Sequence, residues 1–222
     1  EGARYYAQWA GAPYSVYGGK GGEDDYADDI NTRALMSNWL SGGSVYAPSM
    51  EGQCVPIELA LAIHSDAGYS TDFKSLIGSL AICTTDFNDG RLNSGISRMT
   101  SKDFAAALLD NTVKDLSRKF TNWPKRYLWD RNYSETRLPA VPSAILETVS
   151  HQNFPDMLMA QDPNFKFALA RSALPIFSRH DKGAGKKTLP ITTKTGRMIV
   201  SERVEQCLGE DAVGTITPHS FR

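Results

Sequence analysis

The chain has 222 residues, 41% of them hydrophobic and 22% charged, with a formal net charge of −1. That composition fits one globular domain with an appendage. Near-neutral charge leaves no electrostatic footprint for nucleic acid over the whole chain. No apolar run approaches the roughly 20 residues that a membrane-spanning helix needs. The chain begins at Glu1 rather than at a methionine and reads as an internal piece of a longer protein, so its lack of a leader says little about compartment. Three cysteines, Cys54, Cys83 and Cys207, form no C-x-x-C pair and argue against a disulfide framework.

The first 22 residues are rich in aromatics and glycine. Arg4 to Trp9 reads as a short helix, broken by Gly11 and Pro13. The run G-G-K-G-G at 18–22 lacks the spacing and the hydroxyl residue of a phosphate-binding loop. After the acidic stretch Glu23 to Asp29, a helix is expected from about Ile30 to Leu40, capped by Asp28 or Asp29, carrying Arg33 and ended by Ser41-Gly42-Gly43. Ser44 to Ala47 is expected to be a short strand.

The stretch Ile57 to Gly68, I-E-L-A-L-A-I-H-S-D-A-G, holds the strongest local signal. Small and apolar residues from Leu59 to Ile63 end abruptly in His64, Ser65 and Asp66, and Pro56 and Gly68 bound the run, as for a short buried strand. Ligands bind beyond the carboxyl ends of strands in open α/β sheets. His64 is therefore placed to act as a metal ligand or a general acid/base, or more simply to cap the strand end. Leu76 to Thr84 reads as the next strand, and Asn88-Asp89-Gly90 as a turn. Ser101 to Phe120 is the clearest helix, with Ser101 as its capping candidate and Phe104, Ala107, Leu108, Val113 and Leu116 on one face.

Ala144 to Leu146 reads as a short strand with Glu147 at its carboxyl end, followed by the polar run Thr148 to Asn153. A carboxylate leaving an apolar strand is costly unless it is paired or functional. His64 and Glu147 each end a strand, and a helix intervenes, so parallel strands would bring them to one sheet edge. Such a pair suits a metal-bound water with a carboxylate base, and equally an ordinary salt bridge. Asp156 to Ala173 reads as helical, with Phe165, Phe167, Leu169 and Ala170 partly inward and a restart at Asp162-Pro163.

I-H-S-D-A-G at 63–68 and L-E-T-V-S-H-Q-N at 146–153 together resemble the zinc-dependent N-acetylmuramoyl-L-alanine amidases. The likeness is to a Bacteroidetes cell-surface branch, golvesin or xanthan-lyase-like, in which G-A-R-Y-Y-A-Q-W-A-G-A-P, D-D-Y-A-D-D-I, N-W-L-S-G-G-S-V-Y and N-Y-S-E-T-R-L-P-A-V-P-S recur. It covers residues 1–173. The resemblance implies a partial α/β domain with an open mixed or parallel sheet flanked by helices. It implies one Zn²⁺ that activates water to cut the amide between N-acetylmuramic acid and L-alanine in peptidoglycan, in the extracellular or periplasmic cell envelope. His64 matches a histidine ligand and Glu147 the catalytic glutamate, base first and then acid. Arg33 and Asn153 lie in matching segments and are expected to orient substrate or structure. The family's other ligands belong to an upstream segment, and no histidine precedes His64 in this chain. The isolated chain is expected to bind zinc weakly or not at all, and His151 is a distant substitute.

From Leu174 the text changes. Residues 174–222 are expected to form a basic hairpin and helix, and they resemble a fragment of a tyrosine recombinase. The resemblance rests on K-G-A-G-K-K-T-L-P-I at 182–191 and I-T-P-H-S-F-R at 216–222. It implies phosphate contacts from Lys182, Lys186, His219 and Arg222, and DNA as a partner of the tail. Two alternatives therefore stand beside the amidase reading of this chain. One is a strand-exchange fragment and the other a catalytically dead domain that binds cell wall.

Overall fold

The computed structural model describes residues 2–180 except 71, 73 and 121. Its elements, in chain order, are α1 (Gly2–Trp9), α2 (Tyr14–Tyr17), α3 (Asp25–Ser41), β1 (Ala60–Asp66), β2 (Ser79–Cys83), α4 (Met99–Lys119), β3 (Lys125–Asp130), α5 (Ser134–Arg137), β4 (Ser143–Ser150), α6 (Phe154–Gln161) and α7 (Pro163–His180). The four strands form one mixed sheet in the order β1-β4-β2-β3. β1 runs parallel to β4, β2 antiparallel to β4, and β3 parallel to β2. This is the α/β architecture, an open mixed sheet flanked by helices, that the sequence resemblance implies.

Strand alternation sorts the apolar residues onto two faces. Ala81, Cys83, Ala144 and Leu146 pack against Phe104, Ala105, Leu108 and Leu109 of α4. Leu80, Ile82 and Ile145 lie on the opposite face with Ala62 and Trp129. β4 is buried along its whole length, as a central strand covered on both faces must be. Trp123 and Phe165, 5.0 Å apart, anchor a second core where α7 meets the end of α4. No helix among the described residues is long and apolar enough to cross a membrane.

Several boundaries differ from the sequence expectation. α3 begins at Asp25, five residues early, because Asp24 caps it by accepting from the N–H groups of Tyr26 and Ala27. Asp28 and Asp29 are instead buried inside the helix, where they accept from the N–H groups of Lys20 and Arg4. α4 likewise starts before Ser101, whose hydroxyl accepts from the N–H of Ser143 and ties the helix to β4. Residues 44–47 form no strand. Gly43 turns at a φ of 81°, leaving a single bridge between Gly42 and Ala47. Phe167 points outward, 64% exposed, while Phe165 takes the inward place. β3, an edge strand, had no sequence assignment.

β4 continues to Ser150 rather than stopping at Leu146. Its polar end stays extended because the hydroxyls find backbone partners. Thr148 donates to the carbonyl of His64 at 2.8 Å, and Ser150 donates to that of Gly68. α6 and α7 separate at Asp162-Pro163, as the sequence predicts. The change of text at Leu174 falls within α7.

Candidate functional site

Parallel pairing of β1 with β4 sets His64 directly opposite Glu147. Register partners project to the same face of a sheet. By the two-residue period, His64 follows Ala62 and Glu147 follows Ile145, onto the face away from α4. The antiparallel neighbour places Leu80 beside Glu147 on the other flank. Glu147 is 9% exposed, and its Oε2 is buried with no hydrogen-bond partner among the described residues. Burial raises its pKa above the ordinary carboxylate value, against the pull of His64 and with the push of Asp66. A carboxylate that is partly desolvated, unpaired and raised in pKa has the properties of a general base.

Sequence reading did not single out Glu135, a third member of this cluster. Its Oε2 lies 2.9 Å from His64 Nε2 and 3.6 Å from Arg33 Nη1. Arg33 in turn pairs with Asp29 at 3.0 Å, one turn back on α3. The hydrogen bond to Glu135 raises the pKa of His64, in the face of opposing burial. Burial alone would raise Glu135, but His64 and Arg33 outweigh it and hold it below the usual carboxylate range. Only the quoted segment N-Y-S-E-T-R hinted at it, and a lone exposed-looking glutamate between Ser134 and Thr136 carries no periodic or spacing signal.

The one-turn helix α5 that carries Glu135 is fixed from below. The buried guanidinium of Arg98 donates to the carbonyls of Thr136 and Arg137, at 3.3 and 2.7 Å. Thr84 and Thr136 share a buried hydroxyl hydrogen bond of 2.7 Å. Asn38 of α3 clamps the chain after α5, donating to the Leu138 carbonyl and accepting from the Ala140 N–H, both at 2.8 Å. Side chains of Arg98, Thr84 and Asn38 thus hold the segment that places one carboxylate at the imidazole.

Beyond the pair, Asp66 binds Arg126 at 2.6 Å. Asp156, fully buried, accepts from the N–H groups of Ile77, Gly78 and Ser150 and so knits α6 to the ends of β2 and β4. Asn153 caps α6 by accepting from Asp156 N and donates to the Ser75 carbonyl, so both halves of its amide are engaged within the fold. His151 does not join His64. Its Nδ1 meets the Ser65 hydroxyl at 3.2 Å, and its backbone N–H binds Asp66 O. Lys182, Lys186, His219 and Arg222 lie outside the described residues.

A groove of ≈ 200 Å³ runs between α3 and β1, walled by Arg33, Glu135 and Pro139 on one side and Leu59 to Ala62 on the other. Along β1 its lining reaches Ala62, two residues before His64. The donor chemistry near this end, one imidazole and two carboxylates, is of the kind zinc takes. Yet among the described residues no three His, Cys, Asp or Glu side chains are gathered to hold a metal ion, and His64 Nε2 is already held by Glu135. The described residues do not complete a zinc centre.

No family model and no curated protein sequence matches this chain. Solved structures do resemble it at low identity. The N-acetylmuramoyl-L-alanine amidase of Clostridium difficile 630 shares 13% identity over 71% of this chain and 67% of its own, with a TM-score of 0.49. The Ami1 N-acetylmuramyl-L-alanine amidase of Mycobacterium smegmatis shares 17% over 69% and 61%, with a TM-score of 0.49. The CwlD amidase of Clostridioides difficile, solved in complex with the GerS lipoprotein, shares 13% over 72% and 64%, with a TM-score of 0.48. The chain spans about three fifths to two thirds of the length of these structures.

Proposed function

We propose that this chain carries the general-base half of an amide-hydrolysing site, and that its substrate is the bond between N-acetylmuramic acid and L-alanine in peptidoglycan. The observation that carries the reading is the buried Oε2 of Glu147, with no hydrogen-bond partner among the described residues, opposite His64 across two parallel strands. The substrate comes from the long sequence segments that resemble the amidases. The same resemblance puts the protein in the cell envelope.

In this mechanism the Glu147 carboxylate takes a proton from water as the water oxygen adds to the amide carbonyl carbon. The carbonyl oxygen becomes anionic in the tetrahedral intermediate. The C–N bond then breaks, and Glu147 returns its proton to the departing alanine nitrogen. The products are a carboxylate on the muramic acid and a free amino terminus on the peptide. The resemblance also implies Zn²⁺, with His64 as one ligand. The described residues do not complete that centre, so its remaining ligands are assigned to a segment outside them, and none of these steps passes through it.

The test is to incubate the chain with purified peptidoglycan, with and without added Zn²⁺, and to identify new amino termini by mass spectrometry. Release of peptides beginning with L-alanine, abolished in Glu147→Gln, is the expected result. Release that persists in Glu147→Gln, products cut at another bond, or no release once the segment carrying the remaining ligands is supplied with the chain overturns the reading.

A further inference from the structure

We propose that Glu135 is the positioning residue of this site, holding the His64 ring with Nε2–H donated into its carboxylate so that Nδ1 is left as the ring's free lone pair. The inference rests on the reading of His64 and Glu147 as the reacting pair, and it adds a residue that neither the sequence motifs nor that reading assign.

Three observations carry it. First, a carboxylate oxygen only accepts, so the 2.9 Å contact makes Nε2 the donor. Nδ1 has no hydrogen-bond partner among the described residues. Second, Glu135 is nearer to His64 than to Arg33, at 2.9 against 3.6 Å, so the imidazole is its closer partner and Arg33 balances its charge. Third, the support under Glu135 is more than a surface turn needs. Arg98 is 3% exposed and donates to the carbonyls of Thr136 and Arg137, and the fully buried Thr84 shares a hydroxyl hydrogen bond with Thr136. An imidazole on an edge strand turns freely about its last side-chain bond unless something holds one nitrogen. A carboxylate behind a functional histidine is the usual means of fixing which nitrogen faces the chemistry.

The experiment reads the ring proton directly. In ¹⁵N-labelled chain, at a pH high enough to keep His64 neutral, the ring N–H is recorded by ¹H–¹⁵N NMR and assigned by its loss in His64→Asn. A downfield, slowly exchanging proton on Nε2 is expected in the unaltered chain. It persists with a changed shift in Glu135→Gln, whose amide oxygen still accepts, and disappears into exchange in Glu135→Leu. Where hydrolysis is measurable, Glu135→Leu is expected to lose about ten- to a hundredfold in kcat with little change in KM, and Glu135→Gln to recover most of it. A proton found on Nδ1, no protected ring proton in the unaltered chain, or a signal unmoved in Glu135→Leu overturns the proposal. The NMR arm needs no substrate, so its failure is separate from failure of the amidase reading.

Discussion

Glu147 sits opposite His64 across a parallel strand pair, and its Oε2 is buried with no hydrogen bond among the described residues. An unpaired buried carboxylate destabilises a fold, because its charge has left water with no full compensation. Such a group inside a strand is the pattern expected of a reacting residue rather than a structural one. Glu147→Gln keeps the shape and removes the charge. It is expected to lower the hydrolysis rate by about 10²- to 10⁴-fold, the usual contribution of a general base. It is also expected to leave the thermal melting point at pH 7–8 unchanged or higher, since the raised pKa means that the folded state disfavours the ionised form. A variant that unfolds instead would show that Glu147 is held by bonds that matter to the fold.

The same raised pKa fixes the acid side of the activity profile. Glu147 acts as a base only when ionised, so activity falls as pH drops through its folded-state pKa. Burial places that midpoint above the ordinary carboxylate value of 4.5. The acid limb of kcat/KM is therefore expected to lie above pH 4.5, and to disappear with the residual activity of Glu147→Gln. A limb at or below the ordinary value contradicts the desolvated setting of this carboxylate.

How much of this was legible in the sequence follows from how far each signal reaches. The apolar run before His64 and the one before Glu147 each announce a strand, but both strands run on past these residues, to Asp66 and Ser150, because polar side chains there find backbone partners. That the two strands are neighbours rests on a helical crossover between parallel strands, which the clear helix expected over residues 101–120 suggested. Glu135 was out of reach because nothing nearby in sequence explains it. Its position depends on Arg98, Asn38 and Thr84, three residues from three distant elements. The early start of α3 was missed for a different reason. Asp28 and Asp29 read as caps for a helix starting near Ile30, yet they are buried inside it because backbone N–H groups of residues 20 and 4 close on them. β3 was missed because an edge strand with Lys125, Arg126 and Asp130 has too little apolar alternation to stand out.

The His64–Glu135 pair makes a stability contribution with two edges. His64 has a raised folded-state pKa, so its share is fully present below its ordinary value of 6.5 and fades as pH rises through the raised one. Glu135 has a lowered pKa, so its share is fully present above its ordinary value of 4.5 and fades as pH falls through the lowered one. Both are complete only between about pH 4.5 and 6.5. Urea unfolding of the chain and of Glu135→Gln across pH 4 to 9 is expected to show the largest gap inside that window and a narrowing gap above it. A gap that is constant with pH would mean that the contact is not ionic.

Arg98 links the fold to the site most directly. Its guanidinium is buried and donates to three carbonyls, those of Arg91, Thr136 and Arg137. The planar fork of arginine makes those bonds from fixed positions, and a lysine ammonium on a flexible stem cannot reproduce them. Arg98→Lys therefore leaves at least one carbonyl of α5 unsatisfied, at a cost of about 1–3 kcal/mol for each buried group orphaned. It also releases the segment that aims Glu135. The variant is expected to fold with reduced stability by urea titration. It is also expected to show faster exchange of the His64 ring proton, although residue 98 touches neither His64 nor Glu147. Loss of stability with that proton unchanged would mean that α5 is held in place by Thr84 and Asn38 alone, and that Arg98 supports the core without aiming the site.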